Sequence, residues 1–268
     1  MSWRGLSAAD LPLLIGTSGW QYKHWKGGFY PAGLKQASWL EHYAARFDTV
    51  ELNNSFYRLP DPSAFDGWRE RVPPGFVLAV KASRYLTHVK RLVDPEQPVS
   101  LLMGRASRLG DKLGPILVQL PPNLAEDVGR LDSTLGAFPR GQRVAVEFRH
   151  PSWFTDRCRA ILEKHGTAMC IADGGAVDPP LWRTADWGYV RFHAGRASPT
   201  SCYGDAALHT WARKIASLWD PDEDVYVYFN NDLHGCAPRN ARTFASAAGG
   251  AGLRPSRVPG RGETPLTA

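Results

Sequence analysis

The chain has 268 residues, of which 43% are hydrophobic and 22% are charged. This is the composition of an ordinary globular protein, and no apolar run approaches the roughly 20 residues of a membrane-spanning helix. The formal charge is +6, and the last twenty residues contribute three arginines against one glutamate. The excess on the rest of the chain is mild and does not demand a nucleic-acid partner. The first twelve residues lack the apolar core of a secretion signal, which predicts a cytoplasmic protein.

Eight short apolar stretches each end in a polar or charged residue, and helix-like sequence follows most of them. They cover residues 13–18, 49–53, 76–81, 116–119, 144–149, 168–173, 189–193 and 225–230. Strands that alternate with helices form parallel sheets, and eight such units in about 250 residues predict a (β/α)8 TIM barrel. We therefore predict an α/β protein with an N-terminal arm over 1–12, one barrel domain over 13–248 and a disordered Gly- and Pro-rich tail over 249–268.

Apolar residues at helical spacing predict helices over 37–47, 206–219 and 238–248. Ser152 is positioned to cap a further helix, which continues through Ile161 and Leu162. Pro179 and Pro180 predict a loop over 174–182 instead of a regular helix.

The four cysteines (Cys158, Cys170, Cys202 and Cys236) are far apart in the sequence and form no C-x-x-C pair. Cys170 falls within an apolar strand and is predicted to be buried. The spacing does not indicate a disulfide framework, which agrees with the reducing cytosol.

Residue parity separates the two faces of the predicted strands. Val144, Val146 and Phe148 share one face of the fifth strand, while Glu147 and Arg149 share the other. The apolar face should meet the helices, so the other face should bring polar groups to the top of the barrel, where such folds carry their sites. The predicted ring comprises Glu51, Asn53, Lys81, Gln119, Glu147, Arg149, Asp173, Arg191, His193 and Asn230.

Several longer motifs support a family resemblance. They include Gly16-Thr-Ser-Gly-Trp20, Val50-Glu-Leu-Asn-Asn-Ser-Phe-Tyr-Arg58, Val80-Lys-Ala-Ser83, Leu120-Pro-Pro122, Val146-Glu-Phe-Arg-His-Pro-Ser-Trp153, Arg191-Phe-His193 and Phe229-Asn-Asn-Asp232. From about residue 15 to residue 248 the chain resembles the family called domain of unknown function 72, a TIM-barrel family of unestablished activity. Ala194 departs from the glycine that this family often has there. The resemblance implies the fold and supplies no catalytic residues. A more distant likeness to apurinic-site endonuclease and sugar isomerase barrels is an analogy of fold only.

The predicted ring combines cations with carboxylates, which either pair with one another or act on a ligand. We predict that Lys81, Arg149 and Arg191 bind a phosphate-bearing ligand, because arginine binds phosphate through two parallel hydrogen bonds. Glu147, Glu51 or His193 would then transfer protons. The remaining predicted binding residues are Trp20, Asn53, Tyr57, Gln119, Asp173, Asn230 and Asn231. The loop 230–240, which leads into the last helix, is a second candidate for phosphate binding.

The sequence leaves the reaction open, with hydrolase or lyase chemistry on a phosphorylated or nucleic-acid substrate favoured. No cofactor and no metal are predicted, although His193 could converge on a divalent ion with Glu51, Glu147 and Asp173. The expected partner is a small anionic ligand or a nucleic acid, and no interaction with a membrane is expected. The oligomeric state is not predicted.

Two alternative functions are weighed against the first. A nucleic-acid-binding or nuclease-like barrel could use the aromatic loop after the first strand, which contains Trp20, Tyr22, Trp25, Phe29 and Tyr30, although such rings more often fold onto the barrel as a lid or plug. A glycosidase could use Glu51 and Glu147 as its two carboxylates. Arg149 argues against that role for Glu147, because a neighbouring cation lowers the pKa of a carboxyl group.

Overall fold

The computed structural model describes residues 13–175, 177–220 and 222–263, so the predicted N-terminal arm over 1–12 lies outside the described residues. Eight parallel strands form one nearly closed barrel with helices between them, which confirms the predicted TIM-barrel fold. The strands are β1 Leu13–Thr17, β2 Thr49–Leu52, β3 Val77–Lys81, β4 Leu113–Gln119, β5 Val144–Glu147, β6 Ala168–Asp173, β7 Gly188–Phe192 and β8 Val225–Phe229. Each prediction lies within three residues of its strand.

The two faces of the strands divide as residue parity predicts. Val144 and Val146 belong to the large core between the strands and the helices, whereas Ala145 belongs to a second core inside the barrel. That inner core combines small residues with the rings of Tyr189 and Tyr226. Because these side chains fill the lower barrel, a ligand has room only at its upper end.

The barrel closes where β1 meets β2, the two strands at the ends of the hydrogen-bonded order. A β-carbon on Gly16 would collide with the carbonyl oxygen of Thr49, so only glycine allows the two strands this approach. The hydroxyl of Tyr43 then bridges the gap. It accepts a hydrogen bond from the backbone nitrogen of Thr17 at 3.0 Å and donates one to the carbonyl oxygen of Thr49 at 3.0 Å.

Removing this hydroxyl should weaken the barrel closure. We expect Tyr43→Phe to lower the free energy of unfolding by about 1–3 kcal/mol, because it leaves buried backbone groups of both strands without a partner. Urea unfolding followed by circular dichroism measures the loss. Tyr85→Phe on the exposed surface is the control, and equal stability of the two variants would show that the bridge does not contribute.

The helices cover the outside of the barrel. They are α1 Trp39–Ala44, α2 Asn54–Tyr57, α3 Pro62–Arg71, α4 Glu96–Ala106, α5 Val128–Gly136, α6 Asp156–Lys164, α7 Asp205–Leu218 and α8 Cys236–Gly250. The described part of 174–182 contains no helix, as its two prolines predict. Two predicted boundaries are wrong. Thr155, and not Ser152, caps α6 by accepting from the backbone nitrogen of Cys158, and α8 begins before Pro238, at Cys236.

The described part of the predicted tail is ordered against the barrel, in contrast to the predicted disorder. The backbone nitrogen of Leu13 donates to the carbonyl oxygen of Arg254 at 3.1 Å, and that of Ser256 donates back to Leu13 at 2.9 Å. Arg257 also forms an ion pair with Asp48 at 2.7 Å. This part of the tail therefore supplies hydrogen-bond partners for the backbone groups at the start of β1. Its Gly- and Pro-rich composition does not indicate these long-range contacts.

The structure also overturns the expectation that the cysteines form no disulfide. Cys202 and Cys236 are joined, which fixes the segment before α7 to the first residue of α8. Cys170 is buried in β6 as predicted, and Cys158 is buried in α6. The cytoplasmic location stays a prediction. Within the described ranges, no helix is both long enough and apolar enough to cross a membrane.

Candidate functional site

A buried arginine lies between two glutamates at the upper end of the barrel. Arg191 extends from β7 and donates to Glu51 of β2 at 2.7 Å and to Glu147 of β5 at 2.6 Å. All three side chains are about 1% exposed or less. These strands are not neighbours in the sheet, so the ion pairs reach across the barrel interior.

Glu147 is the centre of this network. Its Oε1 atom accepts from Gln119 and from the Nε of Arg149, each at 2.9 Å, and lies 3.2 Å from Nε2 of His193. The other ring nitrogen of His193 lies 3.0 Å from the amide nitrogen of Asn230. A proton on Nε2 of His193 satisfies both contacts, since Nε2 then donates to Glu147 and Nδ1 accepts from the amide.

Both glutamates stay ionised in this environment. Burial acts to raise the pKa of Glu147, but Arg191, His193 and Arg149 hold it well below its usual range. At Glu51 burial also acts to raise the pKa, but the positive charges of Arg191 and Lys81 outweigh it, so the pKa is lowered. A carboxylate with so low a pKa is a weak proton acceptor. The geometry therefore suits the glutamates to anchoring the cations above them.

A cavity of about 580 Å³ lies above this network. Three cations line it, namely Lys81 at the end of β3, Arg149 just after β5, and Arg191. Against the two buried glutamates, these cations leave one positive charge in excess. The other lining residues are Ser18, Gly19, Trp20, Gln21, Tyr22, Asn53, Asn54, Phe56, Tyr57, His88, Gln119 and Asn230.

Lys81 differs from the two arginines because it forms no ion pair with a described carboxylate. Its Nζ atom lies 4.0 Å from the centre of the Phe56 ring, and the residue is 8% exposed. Burial and the positive charge of Arg191 lower its pKa to about 8, although Glu51 and Glu147 partly oppose them. A fraction of Lys81 is therefore an uncharged amine near neutral pH.

Three residues that line the cavity carry buried polar atoms without a hydrogen-bond partner. These atoms are Oγ of Ser18, Oδ1 of Asn53 and Nε of Arg191. A buried polar group without a partner costs free energy, and native proteins rarely leave one unsatisfied. Such atoms beside a cavity indicate that a polar ligand or water completes them.

The structure brings most of the predicted site residues together. The cavity is lined by Trp20, Asn53, Tyr57, Lys81, Gln119, Arg149, Arg191 and Asn230, while Glu51 and Glu147 lie beneath Arg191 and His193 bonds to the same network. The predicted convergence of ionisable groups from separate strands is thus present. The chemical roles assigned to these residues stay predictions.

Asp173 does not face this cavity. It pairs in register with Phe192, whose ring packs in the core outside the barrel, so its side chain points the same way. Asp173 instead lines a separate surface pocket with Tyr203 and Trp211. The parity rule, applied to β6, already gives this answer, because Cys170 and Ala172 are the inward residues and Asp173 falls on the other face.

Asn231 and its loop have a structural role. The amide nitrogen of Asn231 donates to the carbonyl oxygen of Ser201 at 2.9 Å and to Oδ1 of Asn240 at 2.8 Å. Asp232 accepts from the indole of Trp25 at 2.6 Å and lies 2.7 Å from His24. These contacts tie the loop to its neighbours, so the predicted phosphate site over 230–240 has no support.

The aromatic loop after β1 folds down as a plug. Trp20, Trp25, Phe29 and Tyr30 are buried, and only Trp20 and Tyr22 reach the cavity wall. Tyr57 on α2 is instead the exposed ring at the rim, with 75% of its surface accessible. The buried rings remove most of the stacking surface that a nucleic acid would need.

Some cavity residues were absent from the predicted set. Ser18 directly follows β1, so the rule that polar residues end the strands already pointed to it. His88 lies in a single π-helical turn after β3 (Tyr85–Val89), and Phe56 lies in α2. Short helical turns within loops carry no periodic signal, so neither residue was assigned to the site, although Phe56 lies within the family-like motif 50–58 and His88 follows the motif 80–83.

The donor set does not match a metal site. Within the described ranges, no group of three or more His, Cys, Asp and Glu side chains is close enough to hold an ion. Arg191 occupies the position between Glu51 and Glu147 that a cation would need.

Fold and site together define a TIM-barrel protein with a polar cavity at the carboxyl ends of its strands. A model of the family described as "Protein of unknown function DUF72" matches residues 14–262. The chain therefore belongs to the DUF72 family, in agreement with the resemblance in its motifs.

Individual relatives support the same assignment. UPF0759 protein YunF of Bacillus subtilis is 26% identical in an alignment 267 positions long, which covers 86% of this chain and 92% of that protein. UPF0759 protein YecE of Escherichia coli K12 is 29% identical, but the match spans 53% of this chain and 50% of YecE. A DUF72 family protein of Thermotoga maritima has a solved structure that superposes with a TM-score of 0.76, at 28% identity over 88% of this chain and 98% of its own.

Proposed function

We propose that the cavity binds a small phosphate-bearing ligand and that acid–base chemistry acts on this ligand there. The observation that supports the proposal is the excess of cations: Lys81, Arg149 and Arg191 line one cavity whose two nearby carboxylates are already engaged. A positive charge in a shielded cavity attracts an anion more strongly than the same charge on an open surface.

Arg149 is the main phosphate contact in this proposal. Its Nε atom bonds to Glu147, while no described group accepts from its two Nη atoms, and its side chain is 29% exposed at the cavity. Glu147 therefore fixes the guanidinium and leaves its outer edge for the ligand. Two parallel hydrogen bonds from such an edge match the geometry of a phosphate.

The neutral groups suit the rest of the ligand. The unpartnered Oγ of Ser18 and Oδ1 of Asn53 can bond to hydroxyl groups, and Trp20 and Tyr22 offer flat apolar surfaces. A phosphorylated polyhydroxy compound, such as a sugar phosphate, combines these features. His193 is the proton-transfer group that we favour, because Glu51 and Glu147 are fully engaged by Arg191 and about 1% exposed or less, whereas the side chain of His193 is 9% exposed.

The two alternatives have weaker support. The glycosidase mechanism needs a separate acid and nucleophile or base, yet Glu51 and Glu147 are buried and bonded to the same arginine. A nucleic-acid or nuclease function loses the aromatic loop as its stacking surface.

Calorimetric titration with ribose 5-phosphate, and with ribose as the non-phosphorylated probe, tests the proposal. We expect binding of the phosphate ester alone. Replacing Arg149 by methionine should weaken that binding about 10-fold to 100-fold, because hydrogen bonds to charged groups contribute roughly 1.5–3 kcal/mol. Arg159→Met on the exposed face of α6 is the matched control and should leave binding unchanged.

Two results would contradict the proposal. One is equal binding of ribose and its phosphate, which would locate recognition in the neutral groups. The other is tight binding of a single-stranded oligonucleotide that falls steeply with salt, together with no binding of the small ester, which would favour the nucleic-acid alternative.

A further inference from the structure

We propose that Lys81 is a nucleophile that forms an imine with the carbonyl carbon of a phosphorylated aldehyde or ketone. This inference rests on the proposed function and narrows its ligand to a phosphate ester that also carries a carbonyl group. It assigns Lys81 a covalent role in addition to its positive charge.

The position of Lys81 suits this role. Its backbone is held at the end of β3, where Oγ of Ser55 donates to its carbonyl oxygen at 2.6 Å. Its Nζ atom contacts the face of Phe56 at 4.0 Å and lines the cavity. No described carboxylate forms an ion pair with this amine, and Glu51 and Glu147 are instead paired with Arg191.

The surroundings of Lys81 also increase the fraction of its uncharged form. Burial is the main cause, Arg191 and Arg149 add positive charge, and Glu51 and Glu147 oppose them, which leaves a pKa of about 8. The imidazole of His88, in the turn after β3, also lines the cavity, and burial and the charge of Lys81 lower the pKa of His88. At pH 7.5 the free amine is about a hundredfold more abundant at Lys81 than at an ordinary exposed lysine.

The chemical step is an exchange of bonds without an oxidant or reductant. The Nζ lone pair attacks the carbonyl carbon, and the electrons of the C=O double bond move to oxygen to give a carbinolamine. Both amine protons leave nitrogen, the former carbonyl oxygen departs as water, and a C=N bond replaces the C=O bond. Arg149 would hold the phosphate during this step, so the carbonyl is delivered to an amine already in place.

Borohydride trapping with dihydroxyacetone phosphate tests the inference. Borohydride supplies a hydride to the imine carbon and converts the reversible adduct into a stable secondary amine, which peptide mass spectrometry locates. At pH 7.5 we expect saturable labelling of Lys81, at least 10-fold faster than labelling of the exposed Lys35, because the ligand is bound next to an amine whose uncharged form is populated. Inorganic phosphate should compete, and unphosphorylated dihydroxyacetone should label Lys81 much more slowly.

Lys81→Arg keeps the positive charge but cannot form an imine, so no adduct should form at this position. The mapping of labelled lysines in the unaltered protein is decisive even if this variant fails to fold. Calorimetric binding of dihydroxyacetone phosphate without an adduct at Lys81 would overturn the inference and leave the proposed function intact. Labelling of Lys81 no faster than that of Lys35 would also overturn it. Absence of any phosphate binding would instead contradict the proposed function.

Discussion

Replacing Glu147 by glutamine should lower the free energy of unfolding at neutral pH by about 3–5 kcal/mol, the usual effect of breaking a buried ion pair from one side. Glutamine keeps the shape of the side chain and removes its charge. Arg191 then keeps only Glu51 as a carboxylate partner, and Arg149 loses its bond to a charged oxygen. A loss of this size in a protein of this length corresponds to a fall in melting temperature of about 10 °C.

The pH dependence of this variant follows from the lowered pKa of Glu147. A carboxylate whose pKa is depressed in the folded state stabilises the protein above the ordinary value of about 4.3, and this stabilisation is lost as the pH falls through the folded value. The difference in free energy of unfolding between the unaltered protein and Glu147→Gln should therefore stay constant from pH 7 to pH 5. It should narrow only at lower pH.

Urea unfolding at pH 7, 6, 5 and 4 measures both effects. Glu163→Gln is the matched control, because Glu163 also pairs with an arginine at 2.8 Å but lies on the exposed face of α6. Exposed pairs contribute about 0–1 kcal/mol, so the control should change little. If Glu147→Gln were as stable as this control and inactive, Glu147 would be a functional group instead of an anchor.

Local patterns were enough to predict the barrel. Each strand is a short apolar stretch bounded by polar residues, and the parity of Val144 to Glu147 correctly separates helix-facing from inward side chains. Once eight parallel strands close, their carboxyl ends meet, so Lys81, Arg149 and Arg191 had to converge. The same rule places Asp173 outside the barrel when it is applied to β6.

What the sequence could not provide depends on contacts between distant segments. The disulfide joins Cys202 to Cys236 because the segment before α7 and the first residue of α8 meet in space, and spacing alone does not indicate this pair. The packing of residues 253–257 against β1 depends likewise on backbone groups left at the edge of the barrel. Sequence also could not predict that one arginine bonds to both glutamates, which changes them from candidate acids and bases into its anchors.

Replacing Arg191 by methionine should also lower the free energy of unfolding by about 3–5 kcal/mol at pH 7, but with a different pH dependence. Methionine fills much of the space and leaves Glu51 without its ion pair. Glu51 then retains only the hydroxyl of Tyr189, at 2.7 Å, and the more distant charge of Lys81. Burial without a cationic partner raises the pKa of a carboxyl group, so Glu51 should bind a proton in the folded variant.

The sign of the effect distinguishes this variant from Glu147→Gln. A carboxyl group whose pKa is raised by folding destabilises the protein as the pH rises from its unfolded value through its folded value. The loss in free energy of unfolding caused by Arg191→Met should therefore become smaller as the pH falls from 7 to 5. The loss caused by Glu147→Gln should stay constant over the same range. The same urea titration compares the two variants directly.

A second substitution tests the cause. Glu51→Gln in the Arg191→Met background removes the charge that has lost its partner, so the double variant should regain part of the lost stability and lose the pH dependence between 7 and 5. Glu51→Gln alone should destabilise the protein, because it leaves Arg191 with one carboxylate fewer. Such opposite effects of one substitution in two backgrounds identify direct coupling between the two side chains. If the losses in free energy of unfolding were additive in the double variant, Arg191 would stabilise the barrel by packing. Its charge would then be available to bind the ligand.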